Sequence, residues 1–231
     1  MQNRFARRAL LVALAASAAA PAFAQQQRIL DSLTQADASR GIRDALGLAA
    51  MNATTRLGQP NGFWNDGRVR IPLPGLLGQS QRTLAGFGMS GPLDELQESL
   101  NRAAERTMPE AAGLFTNAVR TITIADAIEI VRGGNDSATR YLRGRTETRL
   151  TTLLKPPMTE ALTASGAFTL MRAALREVGL ASMTRDLRTE VINFSTTKAI
   201  EGAFFFIAEE ERAIRRDPAR RTTDILRRVF G

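Results

Sequence analysis

The chain has 231 residues, no cysteine, no histidine and a formal net charge of +8. Without cysteine, a disulfide staple and lipid attachment through an amino-terminal cysteine are excluded. Without histidine as well, so are the commonest neutral-pH base, thiolate nucleophiles and the usual zinc and copper sites. At the amino terminus, Arg4, Arg7 and Arg8 precede an apolar run from Ala9 to Ala20, then Pro21, Ala22-Phe23-Ala24 and three glutamines. This order of regions predicts a secretory signal over residues 1–24, cleaved on export to the periplasm. The apolar run is well short of the ~20 residues that cross a bilayer, so no transmembrane segment is expected once the signal is removed. Residues 25–33 read as a flexible amino-terminal segment and 34–231 as a single helical domain. Of the 31 basic residues only Lys155 and Lys198 are lysine. The cations alternate with acids and form no basic and aromatic stripe, which argues against nucleic-acid partners, as does export.

Helical periodicity then runs along the chain, and strand patterns are almost absent. Thr34 with Asp37 forms a capping-box pattern, and Ile42, Ala45, Leu46, Ala49, Ala53 and Leu57 recur at steps of three and four until Gly58. The segment from Gln59 to Gly78 carries Pro60, Pro72, Pro74, several glycines and Trp64, the only tryptophan. It reads as one long ordered loop, with Val69, Ile71 and Leu73 alternating inward along an extended strip. Helices follow over Leu76 to Phe87, Pro92 to Thr107, Pro109 to Thr121, a short one capped by Thr123 and Asp126, and one from Asn135 or Asp136 that ends before Pro156-Pro157. Further helices are expected over Met158 to Val178, over Thr184 to Arg216 with a break near Asn193 to Thr196, and after Asp217-Pro218. The expected fold is all-α, a compact single-domain bundle of about eight to ten helices.

A carboxylate inside an apolar stripe is the first candidate for chemistry. At ~100° per residue, Glu211 falls among Ile200, Phe204, Ile207 and Ile214, so it requires a hydrogen-bonded or cationic partner, or binds something. Glu209 and Glu210 diverge from it by the same rotation and cannot share one ion with it, so no metal site is expected. On the helix from Pro92, Glu98, Arg102 and Glu105 share the side opposite Leu93, Leu96 and Leu100, and read as a solvated strip of ion pairs or as the wall of a groove. Glu98-Ser99 resembles the dipeptide of lytic enzymes that use one glutamate as general acid, without the downstream pattern such enzymes need. Phe204, Phe205 and Phe206, with Phe194, Phe168 and Phe115, fit either core packing or an apolar pocket.

Taken together, Asp37-Ala38, Val69-Arg70-Ile71-Pro72-Leu73-Pro74, Asn101-Arg102-Ala103-Ala104-Glu105, Pro109-Glu110-Ala111, Gly133-Gly134, Thr139-x-Tyr141, Ala208-Glu209-Glu210-Glu211, Ile214-Arg215 with Asp217-Pro218, and Val229-Phe230-Gly231 occur in a particular order. In this the chain resembles the exported bacterial family catalogued as domain of unknown function 4197, over about residues 31–231. The resemblance implies one helical domain behind a signal sequence, and it assigns no activity, substrate, cofactor or catalytic residue. The leading expectation is a non-catalytic periplasmic binding or interaction protein of the cell envelope, with Arg70, Asn101, Arg102, Glu105 and Glu211 as candidate contact residues. Its partner would be an envelope protein or an apolar ligand, and no cofactor is expected. The alternatives are a carboxylate-dependent peptidoglycan-cleaving enzyme using Glu98 or Glu211, and a helical protein that binds lipid or another apolar ligand.

Overall fold

The computed structural model describes residue 36 and residues 39–177 and 179–216. The expected signal peptide, the segment 25–33, the Thr34–Asp37 cap and the helix after Asp217-Pro218 lie outside the described residues. Among the described residues there are seven helices and no strand: α1 (39–57), α2 (Gly75–Ala85), α3 (Gly91–Arg120), α4 (Ile124–Arg132), α5 (Ser137–Ala164), α6 (Gly166–Glu177) and α7 (Met183–Arg216). The all-α class stands, and the seven described helices are slightly fewer than the eight to ten expected, of which the one after Asp217-Pro218 lies outside the described residues.

Among the described residues, reading Pro109 as a helix end adds a helix, and reading Pro156-Pro157 as one misplaces the α5–α6 boundary. α3 runs through Pro109 for 30 residues, and α5 runs through Pro156 and Pro157 for 28. Each internal proline removes an amide donor and costs about 3 kcal/mol. The apolar stripes are nevertheless continuous across them, with Leu100, Ala104, Met108, Ala111 and Phe115 buried on α3 and Leu150, Leu154, Met158 and Ala161 buried on α5. At roughly 1.5–3 kcal/mol for each large side chain, burying a whole stripe outweighs the missing bonds. α5 ends instead at Ser165, whose backbone is extended, and α6 begins there rather than at Met158. α7 shows no break at Asn193–Thr196, where Ser195 and Thr196 are buried within its inner face. Where local chemistry and stripe agree, the expectations hold. The apolar row of α1 is buried from Ile42 to Leu57, and Thr123 and Asp126 form a complete capping box on α4.

The three long helices form the frame. Glu95 and Ser99 face Glu160 and Ala164, while Leu114 faces Arg149, so α3 and α5 run antiparallel and share the largest interface. α5 packs nearly as extensively on α7, whereas α3 and α7 hardly touch. The Pro/Gly-rich segment 58–74 fills the space between them, with Phe63, Val69, Ile71 and Leu73 buried and Arg68, Arg70 and Pro72 exposed. Gly202 permits this approach, because a Cβ there would lie 2.8 Å from the Phe63 ring and 3.3 Å from Val69. Gly202→Ala is expected to destabilise the protein by about 1–3 kcal/mol through overpacking, measured by urea unfolding; an unchanged midpoint would mean the loop can shift off α7 at no cost.

Candidate functional site

The loop is held by a column of polar side chains on one helix. Gln97, Asn101 and Glu105 lie four residues apart on α3 and therefore stack along one side of it. Asn101, fully buried, accepts from the Ile71 amide at 2.9 Å and donates to the Ile71 carbonyl at 2.9 Å, as a neighbouring β-strand would, and Gln97 donates to the same carbonyl at 3.2 Å. Glu105 receives the amides of Asn61 at 3.1 Å, Phe63 at 3.0 Å and Trp64 at 3.2 Å. Asn61 adopts a left-handed backbone (φ 64°), a conformation asparagine tolerates, and so turns its amide into this cluster. A segment that cannot supply its own backbone partners thus has them supplied by α3.

This corrects the expected Glu98/Arg102/Glu105 strip. Glu98 and Arg102 do pair in water, with Arg102 Nε donating to Glu98 at 3.0 Å. Glu105 shares their side of the helix but is only 5 % exposed, because the loop covers that end. Asn101 is likewise spent on backbone, so neither Asn101 nor Glu105 faces a solvent groove.

The outer surface of the loop is cationic and aromatic. Arg70 donates from Nε to the Trp64 carbonyl and lies 5.0 Å from the centre of the Trp64 ring. Arg68 bridges Asp66 at 2.7 Å and Glu209 at 3.2 Å and sits over Phe205 and Phe206 at 5.3 and 5.2 Å, while Arg56 covers the Phe206 ring at 4.2 Å. The Arg68 guanidinium, hydrogen-bonded to Asp66, holds that carboxyl down to about 2. Between loop and α7 lies a cleft of about 320 Å³ walled by Arg68, Arg70, Pro72, Lys198, Glu201 and Phe205. Lys198 pairs with Glu201 at 2.7 Å, whereas Arg70 has no acidic partner among the described residues.

Glu211 occupies a separate position. It accepts from the Ala138 amide at 3.1 Å and from the Thr139 amide and hydroxyl at 2.8 and 2.7 Å, and it pairs with Arg215 at 2.9 Å. It thereby joins the end of α7 to the first turn of α5, a favourable place for a negative charge. Every group bonded to it is a donor, and the neighbouring cavity, lined by Ile42, Leu46, Ala138 and Ile214, holds about 10 Å³, the space of one water and far too little for a sugar ring. Glu211, Arg102 and Glu105 do not converge on one cavity. The acidic triplet also diverges, since Glu209 turns to Arg68 and Glu211 to α5. Among the described residues no group of three acidic, histidine or cysteine side chains could hold a metal ion. Phe115 and Phe204 meet edge to face at 5.6 Å in the core, while Phe194 lies under Lys198.

Reasoning from sequence missed Gln97, Asp66, Arg68 and Arg215. A polar column at 97, 101 and 105 beside an apolar stripe was a readable sign that something other than water covers that side of α3.

Among the described residues these features define an all-helical arrangement in which the buried carboxylates Glu105 and Glu211 serve the backbone and the loop's exposed chemistry is guanidinium and aromatic. The chain belongs to the family described as protein of unknown function (DUF4197), whose model matches residues 32–231. No curated protein and no solved structure matches it.

Replacing Glu105 by Gln keeps one acceptor oxygen for the Phe63 and Trp64 amides but turns an NH2 donor toward the Asn61 amide. Glu105→Gln is expected to cost about 2–4 kcal/mol in urea unfolding and to speed amide exchange at Asn61, the amide left without an acceptor; unchanged exchange there would show that the carboxylate does not hold the loop. A second expectation concerns pH. Asp66 is depressed by Arg68, and Asp126 by the amide and hydroxyl of Thr123. An acid with a lowered folded pKa contributes stability that is complete above its unfolded value of about 4 and is lost as pH falls through the folded one. Stability should therefore change little from about pH 7 to 5 and fall between about pH 4 and 2, and Asp66→Asn with Asp126→Asn should reduce that fall.

Proposed function

We propose that the protein is a non-catalytic interaction module of the cell envelope, working in the periplasm, and that its recognition surface is the outer face of the loop with the adjoining turn of α7. The observation that carries this reading is the rigidity of an exposed segment. Buried Asn101 and Glu105 fix residues 61–71 from below, while Trp64, Arg68 and Arg70 stand on the outside. Preorganised aromatic and arginine side chains are what protein-binding surfaces concentrate, because they lose little freedom on binding. Arg70 has its terminal guanidinium nitrogens available for an anionic group, and the cleft beside it accommodates a side chain of a partner. The secretory signal read at residues 1–24 supports a surface that works outside the cytoplasm.

The carboxylate-enzyme alternative finds less support. A general acid needs room for a substrate beside it, and Glu211 is enclosed by donors while Glu98 is engaged by Arg102 in the open.

The test is site-specific photo-crosslinking in exporting cells. A photoreactive residue at Trp64 is expected to give one discrete adduct in the periplasmic fraction, lost on Arg70→Glu, whereas the same probe at exposed Thr148 on α5 gives none. Absence of the Trp64 adduct overturns the reading. So does muropeptide release by the purified protein that a folded Glu98→Gln or Glu211→Gln variant no longer shows.

A further inference from the structure

The turn joining α6 to α7 gathers four arginines around one cavity. Arg172 and Arg176 are one turn apart on α6, Arg185 and Arg188 are three residues apart on α7, and all four line a space of about 320 Å³ with Phe168 and Thr184. None of the four has an acidic partner among the described residues. Elsewhere among the described residues Arg56, Arg68, Arg102, Arg143 and Arg212 each hold a carboxylate, and unpaired arginines such as Arg70, Arg120 and Arg140 stand apart from one another, so the hairpin differs in bringing four unpaired guanidiniums to one cavity. The Thr184 hydroxyl at the same cavity is buried without a hydrogen-bond partner. Four like charges repel unless an anion joins them.

The turn itself is well defined. Gly179, at φ 73°, closes α6 with its amide on the Arg176 carbonyl at 3.1 Å, and the Leu180 amide reaches the Leu175 carbonyl at 2.8 Å, the Schellman pattern. The arm also projects from the core. α6 buries only Ala167 and Phe168, and α7 buries nothing before Val191. On this arm Leu170 is 64 % exposed, Leu180 46 % and Met183 39 %.

Arginines around an open cavity of this size would suit any phosphate. Large apolar side chains left in water on the same short arm would not be needed for a soluble one. The two together are the pattern of an interfacial element, cationic for headgroups and apolar for the boundary beneath them. We propose that the α6–α7 hairpin docks on an anionic phospholipid surface, its four-arginine cavity holding lipid phosphates while Leu180 and Met183 at the turn enter the headgroup–acyl boundary. The contact is peripheral, since no described helix is long and apolar enough to cross a membrane. It is independent of the loop surface, and either proposal can fail without the other.

Vesicle co-sedimentation of the purified protein tests this. Binding is expected to vesicles of one part phosphatidylglycerol to three of phosphatidylcholine and not to phosphatidylcholine alone. Each arginine at an anionic surface contributes about a fivefold factor, so Arg176→Gln with Arg185→Gln should weaken binding roughly 30-fold. Leu180→Ser with Met183→Ser should weaken it at least about tenfold, and Arg120→Gln with Arg140→Gln, exposed elsewhere, should not change it. Circular dichroism identifies variants that keep the fold. Equal binding to both vesicle types overturns the proposal, as does a loss shared by the Arg120/Arg140 control. Binding indifferent to Leu180 and Met183 reduces the site to an arginine patch and also overturns it. So does a response to millimolar inorganic phosphate, read as amide shifts at Thr184 and Arg185, without any vesicle binding.

Discussion

The fold depends on one arrangement: a column of Gln97, Asn101 and Glu105 on α3 that bonds the backbone of a segment unable to bond itself. The stretch from 58 to 74 has too much proline and glycine for a helix and no neighbouring strand for a sheet, yet it runs between two long helices where its amides are shielded from water. Buried amides without acceptors cost about as much as lost hydrogen bonds, and a buried carboxylate without donors costs more. Each deficit is the other's remedy. Glu105 is tolerable because three amides converge on it, and those amides are tolerable because Glu105 is there. The consequence extends past the loop, since α3 and α7 share only a small contact around Phe115 and Phe204 and elsewhere it is the loop that packs between them.

Glu211 repeats the logic further along α7, beyond the Arg68–Glu209 pair. It meets the first amides of α5, and Arg215 beside it reaches the Ile130 carbonyl at 3.1 Å and the Ser137 hydroxyl at 2.8 Å, so a single ion pair ties the α4–α5 joint to α7. Both buried acids therefore bond amides at points where the chain leaves or enters a helix. A carboxylate in this position stabilises a joint rather than a reaction, which directs the search for function toward what the joints display: the arginine–tryptophan face over Glu105 and the arginine-lined turn before Val191.

Several elements were legible in the sequence because the deciding interactions are local or periodic. The stripe of α1, the Thr123–Asp126 capping box and the inward alternation of Val69, Ile71 and Leu73 all depend on residues within a few positions of one another. The membership of the family was legible for a different reason, as strings in a fixed order. Helix ends at Pro109 and Pro156 were misread because proline chemistry is local, whereas the stripe that overrides it is a property of the whole helix. Glu105 was placed on the right side of α3 and given the wrong surroundings, since angular position says nothing about what covers a helix. The four arginines of the hairpin escaped notice because 172 and 188 are brought together by a turn and not by spacing.

α7 connects the two proposed surfaces mechanically. Arg185 and Arg188 stand near its start, and Lys198, Glu201, Gly202 and Phe205 contribute to the loop cleft further along the same unbroken helix. At 1.5 Å per residue, position 188 lies about 15 Å from 198 and about 25 Å from 205 along the axis. Because the helix has no break at Asn193–Thr196, a hairpin seated on lipid phosphates would hold the loop face at a set distance, without a hinge to let it collapse onto the bilayer. A break there, as the Asn-Phe-Ser-Thr sequence suggests on propensity alone, would uncouple the two. Burial of Val191, Ser195 and Ala199 along one line keeps the helix whole, and that continuity gives a peripheral arm and a recognition face one common orientation.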